Sequence, residues 1–141
     1  MNTPDILDEL ALAGWRQHPP RGFTGIVGPL WSRRHDNMLS FGILAGDQHL
    51  NPAGYVHGGL LATLLDHTLS TVAWEAAERT PCVTVQMDVQ FLAAVKSGQF
   101  VDGRASVVST TRSLIFMRGD LLVEGTPVAS GSGVFKALRA P

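Results

Sequence analysis

The chain has 141 residues and a formal net charge of -1, and 45% of its residues are hydrophobic while 16% are charged. This length suits one domain with a sizeable core, and the hydrophobic share excludes a disordered chain. The near-neutral charge argues against a nucleic-acid binder, which usually carries a basic excess.

The N-terminal segment and the cysteine content indicate the compartment. The first ten residues carry three acidic side chains and no basic region before an apolar run, which is not the pattern of a signal peptide. The single cysteine, Cys82, cannot form an internal disulfide, so we expect a reducing, cytoplasmic location. The longest apolar stretch, residues 60–74, includes Asp66, His67 and several hydroxyl side chains, and is therefore not expected to span a membrane.

The first third of the chain predicts one helix and two strands. Apolar residues on one face predict a helix from about residue 4, which Gly14 can end, and a loop follows at residues 19–22. Strands are predicted at residues 23–32, where glycines weaken the pattern, and at residues 38–45, where apolar side chains alternate regularly. Residues 46–56 predict a loop.

The rest of the chain predicts a central helix and four strands. Residues 58–79 are apolar or small almost all round for five turns, which places that helix inside the protein, and Pro81 ends it. Period-two alternation and turn residues then predict antiparallel strands at residues 83–91, 99–109, 113–123 and 127–137. This order predicts an α+β fold in which an antiparallel sheet curls around a central helix.

The candidate site lies at the beginning of the predicted central helix, where Asn51 and His57 precede Gly58 and Gly59. The first N–H groups of a helix lack an internal partner and lie at the positive end of the macrodipole. Two glycines let a ligand approach this backbone without a Cβ in the way. Such an N–H can stabilise charge that develops on a carbonyl oxygen, and the Asn51 amide can add a second donor. Alternatively, the glycines permit close packing and Asn51 forms a turn.

Asp66 is the second element of the candidate site. It is the only acidic residue between Gly58 and Trp74, and a carboxylate in an apolar helix is costly unless it is paired or used. It can activate a water molecule or attack a carbonyl carbon itself. The alternative is a buried acid that a threonine or a backbone group satisfies.

The spacing of these residues predicts a dimer. Gly58 and Asp66 are eight residues apart, which is about 12 Å along one helix at ~1.5 Å per residue. One reacting carbonyl cannot contact both. If both act, they come from different subunits, and a two-fold dimer supplies that arrangement twice.

The pattern N-x-x-G-x-x-H-G-G-x6-D, from Asn51 to Asp66, resembles the hotdog-fold thioesterase superfamily, and most closely its PaaI-like and Them-type branch. Residues 83–92, 96–99 and 111–114 also resemble that branch, so the likeness extends from about residue 38 to the C-terminus. It implies a hotdog fold, a homodimer or homotetramer, and hydrolysis of acyl-CoA to a free acid and CoA without a metal or redox cofactor.

The resemblance also implies a role for each matching position. Asp66 matches the general base or nucleophile, Gly58 the backbone donor to the thioester oxygen, and Asn51 the residue that assists it. His57 matches the histidine that shapes the helix entrance, although bonding a loop carbonyl is an alternative role. Thr84 matches a hydroxyl that helps to hold the water, and strict alternation places it on the strand face opposite the apolar side chains.

Four further residues are candidates for binding the substrate or its CoA part. These are Gly59, Lys96, Arg112 and Ser113, although a basic side chain near a turn is usually only solvated. His67 departs from the branch's pattern, in which a small or apolar residue follows the acid. The five histidines and Cys82 show no spacing that predicts a metal site.

Two other functions fit the same sequence. One is a hotdog-fold enoyl-thioester hydratase or dehydratase, and the other is a non-catalytic acyl-CoA-binding protein. The sequence leaves open the acyl group, which can be aromatic or a short or medium aliphatic chain. It also leaves open whether CoA or a carrier protein holds the thioester.

Overall fold

A computed structural model describes residues 3–139, with side chains from residue 5 onward. Seven strands form one sheet in the order β1-β2-β3-β5-β6-β7-β4, and every neighbouring pair is antiparallel. In chain order, the elements are α1 (Thr3–Leu12), β1 (Arg16–Gln17), α2 (Gly22–Val27), β2 (Leu30–His35), β3 (Met38–Leu44), a 3-10 turn (Asp47–His49), α3 (Gly58–Ala76), β4 (Cys82–Phe91), β5 (Phe100–Thr110), β6 (Leu114–Val123) and β7 (Thr126–Ala137). The predicted α+β architecture, a sheet around one long helix, is therefore confirmed.

The core lies between α3 and the sheet. Leu65 and Leu69 of the helix are fully buried, as are Leu121 and Phe135 of the strands that cross beneath it. Glycine in the strands lets the helix approach closely, since a Cβ added at Gly131 would lie 2.7 Å from a methyl carbon of Leu65. This packing fixes the helix over the middle of the sheet, with one side toward β3 and the other toward β4.

One predicted strand is wrong in its first half. Residues 22–27 form the short helix α2, and the strand begins only at Leu30. Backbone hydrogen bonds from Gly25 to Arg21 and from Gly28 to Thr24 close the helical turns. Gly25 also packs so closely that an added Cβ would lie 2.9 Å from the backbone of Pro20. The glycines that weaken the strand pattern therefore allow the close packing of the short helix α2.

The central helix is shorter than the predicted 58–79. It ends at Ala76, and Glu78 and Arg79 follow with φ values of 54° and 63°. These left-handed residues reverse the chain before Pro81, so the helix cannot continue to the proline. Within the described residues, none of the helices combines the length and the apolar character needed to cross a membrane.

Strand β4 forms one outer edge of the sheet and carries an unusual amount of exposed apolar surface. Val85 is 57% exposed and Phe91 is 55% exposed, and Val83 and Leu92 are exposed as well. An exposed apolar edge strand offers its unpaired backbone groups and side chains to another strand. This edge of the protein is therefore suited to pairing with a second chain.

Candidate active site

Asp66 and Thr84 meet on the side of α3 that faces β4. The Thr84 hydroxyl donates a hydrogen bond of 2.7 Å to Oδ1 of Asp66. Asp66 is half-buried, so its second oxygen is accessible to a further partner. The bond holds the carboxylate in one orientation at the outward side of the helix, where it can accept a proton from a water molecule.

A β-bulge aims Thr84 at the helix. The pairing of β4 with β7 slips between Thr84 and Gln86, so that Val85 has no partner in the register. A bulge changes the side-chain alternation and re-aims neighbouring residues. The Thr84 side chain therefore lies on the helix-facing side of β4, together with Met87, which packs against the core. Strict alternation predicted the opposite side, and that prediction is wrong.

The side chain of His57 caps the beginning of α3. Its ring atom Nδ1 accepts a hydrogen bond of 2.8 Å from the N–H of Gly59, which makes His57 the N-cap of the helix. The ring proton then resides on Nε2. Because the Gly59 N–H is already used in this way, Gly59 cannot also donate it to a ligand.

Gly58 is the first residue of α3, and within the described residues its N–H donates to no protein group. The ring of Phe91, at the end of β4, stands beside it, since a Cβ added at Gly58 would lie 3.2 Å from that ring. The sequence pattern does not distinguish Phe91 from the other apolar residues of β4, because it is simply the last of them. The structure leaves one free donor at the positive end of the helix, next to an exposed aromatic ring.

Asn51 forms the loop before the helix. Its Oδ1 accepts hydrogen bonds from the N–H groups of Ala53 and Tyr55, at 3.0 and 3.1 Å. The side-chain oxygen therefore stabilises a turn, which is the alternative role that the sequence predicted for Asn51. The side-chain amide nitrogen makes no hydrogen bond within the described residues and can still act as a donor.

The candidate CoA-binding residues lie at opposite ends of β4 in one protomer. Arg112 and Ser113 occupy the exposed β5–β6 turn, where their carbonyl groups bond Arg139 and Ala137. Ala137 pairs with Cys82, the first residue of β4. Lys96 is also exposed but follows the far end of that strand. A single chain does not bring these residues together.

A cavity of about 490 Å³ lies on the β3 side of α3. His67 and Phe41 form part of its wall, with ring centroids 4.6 Å apart and ring planes nearly perpendicular. The remaining lining comes from the loop and α2 region (His18, Pro19, Pro20, Arg21, Thr24, Pro29) and from Leu30 and Thr71. These residues are far apart in sequence, so no local pattern predicted the cavity.

Burial lowers the pKa of His67 below its usual value. The Asp66 carboxylate opposes this shift, and the nearby His18 ring adds to it. The imidazole is therefore neutral at neutral pH, and it places no positive charge beside the Asp66 carboxylate.

Acidification is expected to destabilise the protein partly through His67. Between the usual pKa of 6.5 and the lower pKa of the folded state, the unfolded chain binds the proton and the folded chain does not. The free energy of unfolding therefore falls as the pH drops through this window. In His67→Gln this contribution is absent, so urea denaturation at fixed protein concentration should show a weaker loss between pH 8 and pH 5. Equal losses in both proteins would contradict the assignment of a lowered pKa to His67.

Residues 53–130, more than half of the chain, match the family model described as the thioesterase superfamily. The chain belongs to the thioesterase superfamily. Acyl-coenzyme A thioesterase 13 of mouse is 37% identical over 76 residues, which are 53% of this chain and 54% of that relative. The chain thus spans about half the length of the acyl-coenzyme A thioesterase 13 relatives that it matches.

Solved structures of this superfamily share the architecture. Zebra fish thioesterase superfamily member 2 is 26% identical, with a TM-score of 0.74, 99% of this chain covered and 100% of that one. A variant of the phenylacetic acid degradation protein PaaI from Thermus thermophilus is also 26% identical, with a TM-score of 0.71 and coverage of 82% and 98%. The predicted hotdog fold and the resemblance to the PaaI-like branch are confirmed.

Proposed function

We propose that this member of the thioesterase superfamily hydrolyses acyl-CoA to a free acid and CoA, at a site shared by two subunits. The observation that supports this most strongly is the arrangement of two groups on one helix. An oriented carboxylate, Asp66 bonded by Thr84, lies two turns beyond a free N–H donor at Gly58. A general base and an oxyanion donor are the two groups that hydrolysis of a thioester requires.

A two-fold dimer formed through β4 brings these groups together. Thr84, which bonds Asp66, lies near the beginning of β4, whereas Phe91, whose ring stands beside Gly58, is the last residue of that strand. Antiparallel pairing of two β4 edges sets the beginning of one strand beside the end of the other. Asp66 of one protomer then faces the partner subunit's Gly58 across the interface.

The same pairing joins the candidate CoA-binding residues. The turn with Arg112 and Ser113 lies near the beginning of β4, and Lys96 follows its end. In the proposed dimer, Arg112 of one protomer lies on the same side as the partner subunit's Lys96. Two cations at the mouth of one cleft suit the phosphates of CoA.

Each group has a defined part in the proposed reaction. Asp66 takes a proton from a water molecule, whose oxygen attacks the thioester carbon. The partner subunit's Gly58 N–H, with the Asn51 amide as a second donor, stabilises the negative charge that develops on the carbonyl oxygen. When the tetrahedral intermediate collapses, the C–S bond breaks, and the CoA sulfur receives the proton from Asp66. Thr84 keeps the carboxylate oriented throughout, and His57 holds the helix entrance.

Thiol release from a panel of acyl-CoA esters tests this function. We expect free CoA to appear in a dithiobis-nitrobenzoate assay for at least one aromatic, short or medium acyl group. Cys82 is the protein's own thiol, and burial raises its pKa, so a control without substrate corrects for its slow reaction. Binding of the esters without thiol release would instead indicate a non-catalytic acyl-CoA-binding protein. Hydration of an enoyl-CoA without thiol release would indicate a hydratase.

A further inference from the structure

The cavity beside His67 contains a polar group without a protein partner. The backbone carbonyl of His67 accepts hydrogen bonds from the hydroxyls of Ser70 and Thr71, but among the described residues none bonds its imidazole. The ring is held from one side by the edge contact with Phe41 and borders the cavity. His67 is half-buried, so its imidazole takes its hydrogen-bond partner from the contents of the cavity, either water or a bound ligand.

The other wall residues define what surrounds that group. Three prolines, Leu30 and Phe41 make most of the lining apolar. His18 already bonds the Ser32 hydroxyl through Nε2, at 2.6 Å, so it competes less for a ligand. The cavity therefore offers a mainly apolar lining in which the neutral imidazole of His67 has no protein hydrogen bond among the described residues, with Arg21, Thr24 and Thr71 as further polar residues of the wall.

The position of the cavity relative to Asp66 suggests what enters it. Asp66 and His67 are adjacent on the helix, about 100° apart, and both border its outward face. Their side-chain tips are then about 8 Å apart, which an extended chain of about six carbon atoms spans. An acyl group with its thioester carbon at Asp66 can place its far end at His67.

We propose that His67 is a specificity-determining residue, which selects acyl groups of about six carbon atoms that carry a hydroxyl or oxo group at the far end. This inference rests on the proposed function, since it takes Asp66 as the position of the thioester. A hydroxyl completes the hydrogen bond of the imidazole, whereas a methyl group in its place leaves the imidazole unpaired.

The test compares two esters of equal length, 6-hydroxyhexanoyl-CoA and heptanoyl-CoA, in the full-length protein. The readout is the ratio of their kcat/KM values, hydroxyacyl over alkyl. In His67→Phe, which keeps a ring beside Phe41 but removes the hydrogen bond, we expect this ratio to fall about tenfold. Heptanoyl-CoA turnover should change by no more than a few-fold. His67→Gln, which retains a donor and an acceptor, should recover part of the ratio.

Thr63→Val is the matched control, because Thr63 borders a second cavity of about 370 Å³ nearer the helix entrance. The ratio should remain at the wild-type value in this variant. An unchanged ratio in His67→Phe, or a ratio that follows Thr63 instead, overturns the inference while the hydrolase activity stands.

Failure of the proposed function gives a different result. If the wild-type protein releases thiol from no ester in the panel, the hydrolase proposal fails. Calorimetric affinities for the two uncleaved esters then decide the role of His67. A preference for the hydroxyacyl ester that His67→Phe removes supports selection at this cavity, and equal affinities in the wild-type protein overturn it.

Discussion

Asp66→Asn is expected to lower kcat for acyl-CoA hydrolysis by about 10³-fold, because the amide cannot accept the proton of the attacking water. The substitution keeps the shape of the side chain, and its amide oxygen can still accept the hydrogen bond from Thr84. The fold and the free energy of unfolding should therefore change little. Steady-state thiol release, together with a denaturation curve for each protein, measures both effects.

A matched control separates the charge of Asp66 from the packing of its surroundings. Thr68 lies on the same helix, is fully buried and bonds the Leu64 carbonyl, so Thr68→Ser alters the helix interior without touching the carboxylate. This variant should lose some stability but retain turnover. Undiminished hydrolysis by Asp66→Asn would show that the carboxylate is not catalytic and serves only as the hydrogen-bond acceptor of Thr84.

Gly58→Pro is expected to lower kcat about 10²- to 10³-fold, the cost of removing one oxyanion donor. Proline lacks an N–H but suits the first position of a helix, and the preceding His57 has an extended backbone (φ -61°, ψ 135°) that a following proline accepts. The substitution therefore deletes the proposed donor and leaves the helix intact. KM should change less than kcat if the donor acts mainly on the transition state.

Gly58→Ala is the control for the added volume. Its Cβ meets the ring of Phe91 at 3.2 Å, and that exposed ring can move aside. The alanine variant retains the N–H, so it should remain much more active than the proline variant. Equal activity of the two variants would show that the N–H of residue 58 does not contact the reacting oxygen.

The sequence predicts those parts of the molecule that local patterns determine. The central helix follows from a long run without proline, and the later strands follow from period-two alternation. The pair of Gly58 and Asp66 is visible because both residues are unusual for their positions. Sequence also predicts the turn-forming role of Asn51 as an alternative, because an asparagine side chain commonly accepts from the backbone two residues on.

The remaining features depend on contacts between distant segments. The bulge that directs Thr84 to Asp66 arises from the register of β4 against β7, which no property of β4 alone specifies. Helix α2 depends on the close approach of Gly25 to Pro20. The cavity at His67 combines residues from three separate parts of the chain. Tertiary packing decides each of these features, so local propensity cannot predict them.

Complementation between two inactive variants tests the shared site most directly. Asp66→Asn and Gly58→Pro chains, carrying different tags, are co-expressed, and mixed dimers are purified through both tags. If each site takes Asp66 from one protomer and the Gly58 N–H from the other, a mixed dimer has one intact site of two and about half of the wild-type activity. Mixed dimers with no more activity than either parent variant would contradict the account, because every site would then draw both groups from one chain.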